Sequence, residues 1–117
     1  MGSMNAVKDD APLYEVERRA EHAARPGFRI TELQISKKQK VPWHYHSNVQ
    51  DTFYVLEGEL RIFLQDPKEE VRLKPGETFT ARARRPHLVT NAGEKSATFL
   101  VLQGLGEYDF VPLVKTK

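Results

Sequence analysis

Apolar and polar positions alternate along this chain in short runs, and turn chemistry separates the runs. FRITELQIS (28–36), TFYVL (52–56), ELRIFLQ (59–65), VRL (71–73), ETFTARA (77–83), HLVTN (87–91) and SATFLVL (96–102) are rich in Val, Ile, Phe, Thr and Leu, which favour a pleated, half-buried backbone. Between them stand Glu57-Gly58, Asp66-Pro67, Lys74-Pro75-Gly76 and Asn91-Ala92-Gly93-Glu94, each suited to reversing the chain. Strands at such intervals predict an all-β sandwich or barrel. One stretch departs from this period. Glu15 to Arg25 is compatible with a short helix, which Pro26-Gly27 would stop.

VLEGELRI predicts a hairpin closed by a two-residue Glu57-Gly58 loop, in which Val55 faces Leu60, Phe53 faces Ile62 and Asp51 faces Leu64. One face of that ribbon carries Phe53, Val55, Leu60, Ile62 and Leu64 and is assigned to the core. The other carries Tyr54, Arg61 and Phe63, an aromatic strip suited to a dimer surface. The same parity turns Asp51 inward and Gln50 outward. An inward carboxylate is costly unless it is paired or coordinated, so Asp51 needs a partner.

Composition narrows the function. The chain has 117 residues, 39% hydrophobic and 29% charged, which fits one ordinary domain with one core. Met1, Gly2 and Ser3 resemble a cloning remnant ahead of a natural start at Met4 and are set aside. No apolar run approaches the ~20 residues of a membrane helix, and none resembles a secretory signal, so a soluble cytoplasmic protein with no membrane partner is expected. With no cysteine, any metal must be held by nitrogen and oxygen. A net charge of +2 gives no case for nucleic acid, although KKQK (37–40) and RARR (82–85) are basic clusters. No phosphate loop or nucleotide-binding glycine motif is present.

The candidate chemistry lies in WHYHS (43–47). In an extended segment His44 and His46 share one face, while Trp43 and Tyr45 pack on the other. Alone, this pair is compatible with two ordinary strand histidines. Asp51, turned inward, and His87, opening the strand 87–91, add a carboxylate and a third imidazole. Such a set suits a divalent transition metal, Fe, Mn, Ni, Zn or Cu, without choosing among them. His22 has no partner in the sequence and is assigned to the surface. Arg82 and Arg84 precede His87, and one of them is a candidate to fork a substrate carboxylate if the strand end curls at a barrel mouth.

These residues carry a resemblance to single-domain cupins. In that family's first motif a glycine is followed by five residues, His-x-His, three or four residues, Glu, six residues and Gly. Here His44-Tyr45-His46, four residues, Asp51, six residues and Gly58 keep the spacing, with aspartate for glutamate and Lys38 where the first glycine would stand. The second motif is a glycine, five residues, Pro-x-Gly, two residues, His, three residues and Asn. Gly76, five residues, Arg82-Ala83-Arg84, two residues, His87, three residues and Asn91 match in register, with arginines at the proline and the second glycine. A positive φ at Arg84 would be uncomfortable there.

The resemblance implies a small antiparallel jelly-roll (double-stranded β-helix) barrel over residues 28–102, between an arm at 1–27 and a C-terminal extension at 103–117. It also implies a metal at the barrel mouth and, commonly, a homodimer. Its range of activities includes dioxygenases, decarboxylases, isomerases, lyases and non-catalytic binders, and the fold does not choose among them. The expectation is a metal-dependent enzyme doing oxidative cleavage or enolate chemistry on a small oxygen-rich molecule. His44, His46 and His87 would be ligands, and Asp51 the fourth ligand or a general base beside an open position. The alternative is a sugar- or metabolite-binding module whose metal is structural or absent.

Overall fold

A computed structural model describes residues 2–3, 6–104 and 106–114. They form eleven strands: β1 (Gly2–Ser3), β2 (Arg18–Arg25), β3 (Phe28–Ile35), β4 (Lys40–Tyr45), β5 (Gln50–Glu57), β6 (Leu60–Leu64), β7 (Glu69–Leu73), β8 (Thr78–Ala81), β9 (His87–Asn91), β10 (Ala97–Gly104) and β11 (Val111–Val114). A single 3-10 turn spans Ala11–Leu13. Among the described residues no helix is long and apolar enough to cross a membrane.

The strands make two antiparallel sheets, one of six strands in the order β1-β11-β4-β9-β6-β7 and one of five in the order β2-β3-β10-β5-β8. Each of the seven expected runs coincides with a strand to within a few residues. The inward faces of both sheets meet in one core, which includes Leu33, Ile35, Phe53, Val55, Leu60, Ile62, Val89 and Phe99. Burial alternates along β6 in the period-2 pattern of a strand with one face in a core.

Three expectations need correction. The stretch proposed as a helix is β2, paired with β3 through Arg18↔Gln34 to Arg25↔Phe28. Its Ala, Glu and Arg content is good helix material, but Pro26-Gly27 turns the chain, with Gly27 at φ 80, and β3 offers an edge to pair with. The VLEGELRI hairpin does not form either. β5 pairs with β10 and β8, whereas β6 pairs with β7 and β9. Gly58, at φ 77, carries the chain from one sheet to the other, and a Cβ there would lie 2.7 Å from the Ser96 carbonyl oxygen. The assignment of faces survives because parity belongs to each strand and not to its partner. Phe53, Val55, Leu60, Ile62 and Leu64 are all buried, as is Asp51, while Gln50 is exposed.

The third correction follows from the second. Tyr54 lies on the outer face of one sheet and Arg61 and Phe63 on that of the other, so they form no continuous strip for a partner subunit. Arg61 instead covers the Phe63 ring at 4.8 Å and pairs with Glu70 at 2.9 Å. Strands on either side of 28–102 also join the sheets. β2 precedes that range, and β11 follows it to pair with β4. Gly2 and Ser3, set aside as a remnant, pair with Val114 and Leu113. Met4, the expected natural start, lies outside the described residues.

Candidate metal centre

The two sheets bring the four candidate ligands to one point. His44 on β4 is the direct cross-strand neighbour of His87 on β9, and His46 follows just past the end of β4. Asp51 comes from the opposite sheet, where β5 places it beside Gln103 of β10 and Ala81 of β8. All four residues are buried, and their ligand atoms lie within 4.8 Å of one another. Among the described residues this is the one such group.

Backbone carbonyls fix the imidazoles. His44 Nδ1 donates to the Pro42 oxygen at 2.7 Å, His46 Nδ1 to that of Asp109 at 2.6 Å, and His87 Nδ1 to that of Arg85 at 2.8 Å. A carbonyl only accepts, so each Nδ1 carries the hydrogen and each neutral ring turns its Nε2 lone pair inward. Asp51 Oδ2 stands 2.9 Å from His46 Nε2, 3.0 Å from His87 Nε2 and 4.0 Å from His44 Nε2. Its other oxygen accepts from Gln103 Nε2 at 2.6 Å.

Lone pairs converging on a carboxylate repel one another, so the arrangement requires positive charge at its centre. A metal ion meets that requirement. Ligands bound at ~2.0–2.2 Å to one ion stand roughly 3 Å apart, close to the spacing of Asp51 Oδ2 from His46 and His87. The shorter side chain of aspartate does not keep it away from the imidazoles. Without an ion the charge must be a proton. Burial works against the charged form of His46, but the Asp51 carboxylate outweighs it and holds the imidazole above its usual range. Burial, together with the neighbouring His87 and His46, holds His44 well below that range. Burial would raise Asp51, yet His46 and His87 hold it well below an ordinary carboxylate.

The C-terminal segment braces this cluster, a role the sequence pattern did not reveal. Phe110 stacks on the His44 ring at 4.3 Å with an interplanar angle of 14°. Asp109 accepts from His46 through its carbonyl and, through its carboxylate, from the Ser47 amide at 2.7 Å. Gln103 was within reach of sequence reasoning, since Phe99, Val101 and Gln103 share one parity and the strand runs one turn of the pleat past 102.

A cavity of about 30 Å³ adjoins the cluster inside the barrel. Asp10, Tyr14, Arg19, Arg29 and Tyr108 also line it, and the Tyr108 ring lies 5.5 Å from that of His46. Tyr14 Oη and Tyr108 Oη both donate to the Asp10 carboxylate, the latter at 2.9 Å. Burial and that carboxylate push both phenols well above their usual value.

The pair from which one arginine was a candidate to fork a substrate carboxylate lies away from the cavity. Arg82 and Arg84 are exposed and do not line the cavity. β8 ends at Ala81, so the alternation used to aim them stops before they begin. Arg82 donates to the Asp66 carbonyl at 2.8 Å, and Arg84 sits at φ 67. Arg85 is buried and holds the 65–69 turn through the Gln65 and Pro67 carbonyls and the Glu69 carboxylate. His22 is on the surface as expected, and bonds to Glu32 at 2.9 Å.

No curated protein matches the chain. Among solved structures it is similar to an uncharacterised conserved protein with a double-stranded β-helix domain from Klebsiella pneumoniae. That match has 21% identity and a TM-score of 0.72, and covers 85% of this chain and 84% of the other. A cupin-2 domain protein from Shewanella frigidimarina gives 17% identity, a TM-score of 0.63 and coverage of 80% and 87%. The oxalate decarboxylase of Lactobacillus farciminis gives 14% identity and a TM-score of 0.66 over 73% of this chain, which spans only 26% of that enzyme. These likenesses establish the fold. The cupin domain model matches residues 31–103, the stretch that contains both histidine motifs and Asp51. With the barrel and that match together, the chain belongs to the cupin family.

Proposed function

We propose that the protein is a metal-dependent enzyme acting on a small, oxygen-rich molecule held in the barrel cavity. The observation that carries this reading is the set of three buried imidazoles whose Nδ1 atoms are tied to carbonyls, so that their Nε2 atoms converge on one carboxylate oxygen. His44, His46 and His87 would hold a divalent transition metal through Nε2, with Asp51 as a fourth ligand. When bound, such an ion supplies Lewis acidity toward a substrate oxygen and, if redox-active, a route to dioxygen chemistry.

The chain's own residues set the conditions for that chemistry. Gln103 holds one Asp51 oxygen and leaves the other for the centre. Phe53, Phe99 and Val101 exclude water from one side of the cavity. If Asp51 does not ligate, its carboxylate stands beside the reacting atoms as a general base. The likeness to oxalate-processing enzymes supports a small acid as substrate.

The test begins with metal analysis of the purified protein. Turnover of oxalate, glycolate and small keto, enol and catechol compounds is then followed with and without oxygen. Stoichiometric metal with turnover of one class supports the reading. A protein that takes up no Fe, Mn, Ni, Zn or Cu refutes it.

A further inference from the structure

The lining of the cavity contains a donor nitrogen without a hydrogen-bond partner. Among the described residues, Arg19 Nη2 is the only buried side-chain nitrogen or oxygen without a hydrogen-bond partner. Arg19 faces Leu33 across β2 and β3, and Leu33 belongs to the core, so the guanidinium is directed into the barrel. It lines the same cavity as His44, His46 and Asp51.

Asp10 is the nearest anion, but it does not occupy this donor. Its carboxylate takes both tyrosine hydroxyls and stands 4.0 Å from Arg19 Nη1, beyond hydrogen-bond distance. Both cavity arginines lie over tyrosine rings, Arg19 5.2 Å from the Tyr14 centroid and Arg29 3.7 Å from that of Tyr108, and Arg29 also stands 3.6 Å from Glu21. Buried guanidinium hydrogens are rarely left unpaired in native proteins, and the planar fork of arginine matches a carboxylate.

We propose that Arg19 anchors the carboxylate of a small acid through Nη2, so that the substrate's remaining oxygens face the histidine cluster. This rests on the metal-enzyme reading above, and adds that the substrate is an acid held at its far end by a residue outside the 31–103 cupin match.

The experiment titrates glycolate and its uncharged counterpart glycolamide into the zinc-loaded full chain by calorimetry, for wild type, Arg19→Gln and Arg19→Lys. Losing a charge-assisted fork should weaken glycolate about tenfold to a hundredfold in Arg19→Gln, while glycolamide is unchanged. Arg19→Lys keeps the charge without the fork and should fall between. If Arg19→Gln does not fold, Arg19→Lys carries the test by the same comparison of the two probes. Equal glycolate affinity in wild type and variant, or equal loss of both probes, overturns the anchor. Repeating the titration in chelator separates the two readings. Glycolate binding that depends on Arg19 but not on zinc keeps the anchor even if the metal reading fails. Normal zinc uptake with glycolate indifferent to Arg19 leaves the metal reading standing alone.

Discussion

The cluster predicts that the metal-free and metal-loaded proteins respond to pH in different ways. In the metal-free chain His46 has its affinity for protons raised by Asp51, and His44 has its affinity lowered, first by burial and then by His87 and His46. The raised group contributes stability that is complete below the unfolded imidazole value of ~6.5 and is lost as pH climbs through the folded value. The lowered group acts in the opposite sense. Below ~6.5 the unfolded chain protonates this imidazole and the folded chain does not, so stability falls with falling pH. Asp51, held well below an ordinary carboxylate, adds stability that is present above ~3.9 and lost only at lower pH. Metal-free stability should therefore peak near pH 6.5 and decline on both sides.

An ion changes the alkaline arm, because a metal displaces the proton that His46 otherwise holds. Above pH ~6.5 the difference in stability between loaded and free protein should widen by up to about 1.4 kcal/mol per pH unit, the value for one proton. Zinc at a hundred times its dissociation constant adds roughly 2.7 kcal/mol, a rise on the order of 10 °C in melting temperature for a domain of this size. Thermal unfolding between pH 5.5 and 9, in zinc and in chelator, measures both curves. Asp51→Asn removes the cause of the raised His46 value and should flatten the alkaline decline of the metal-free protein. Parallel curves with and without zinc, or metal-free stability that rises steadily from pH 6 to 9, would refute the reasoning.

Further perturbations address the parts separately. His87→Ala should abolish stoichiometric metal uptake, seen by elemental analysis, while circular dichroism stays that of a β protein, because the core packs around Phe53, Leu60 and Ile62 and not around the ion. Phe110→Ala removes a ring that is 1% exposed and stacked on His44, and should cost about 3–5 kcal/mol in denaturant unfolding as well as weakening metal affinity. Arg84→Gly relieves a non-glycine residue at φ 67 at the price of a more flexible unfolded chain, so chemical denaturation should show a gain of up to about 1 kcal/mol. Destabilisation by this last change would show that the Arg84 contact with the Ser47 carbonyl at 3.4 Å outweighs the backbone strain.

Strand parity was legible in the sequence and strand partnership was not. The alternation of Phe53, Val55, Leu60, Ile62 and Leu64 is a local property, and it placed these residues and Asp51 correctly although β5 and β6 lie in different sheets. Choosing a partner depends on contacts far apart in the chain, such as Gln103 beside Asp51, which no short window encodes. β2 was missed for a related reason. Its inward position 19 is an arginine, so the period-2 hydrophobic signal is absent, and its alanines and glutamate favour another backbone. The misassignment hid Arg19, which lines the cavity beside the histidines.

The distribution of the cluster over the two sheets has a mechanical consequence. The six-stranded sheet contributes His44 and His87, His46 follows directly on its strand β4, and the five-stranded sheet contributes Asp51, so an ion at the centre would join the sheets across the barrel. The imidazoles are fixed independently of that ion by the Pro42, Asp109 and Arg85 carbonyls, and Asp51 is fixed by Gln103. The geometry is thus set by the Pro42, Asp109 and Arg85 carbonyls and the Gln103 side chain before any ion arrives, and little rearrangement is needed on binding. Because the Asp109 carbonyl and the Phe110 ring belong to the segment leading into β11, the order of that segment and the affinity of the centre are coupled. Hydrogen exchange of the Phe110 amide, which donates to the Val7 carbonyl at 2.8 Å, should slow on adding zinc, and exchange indifferent to zinc would show that the brace is rigid on its own.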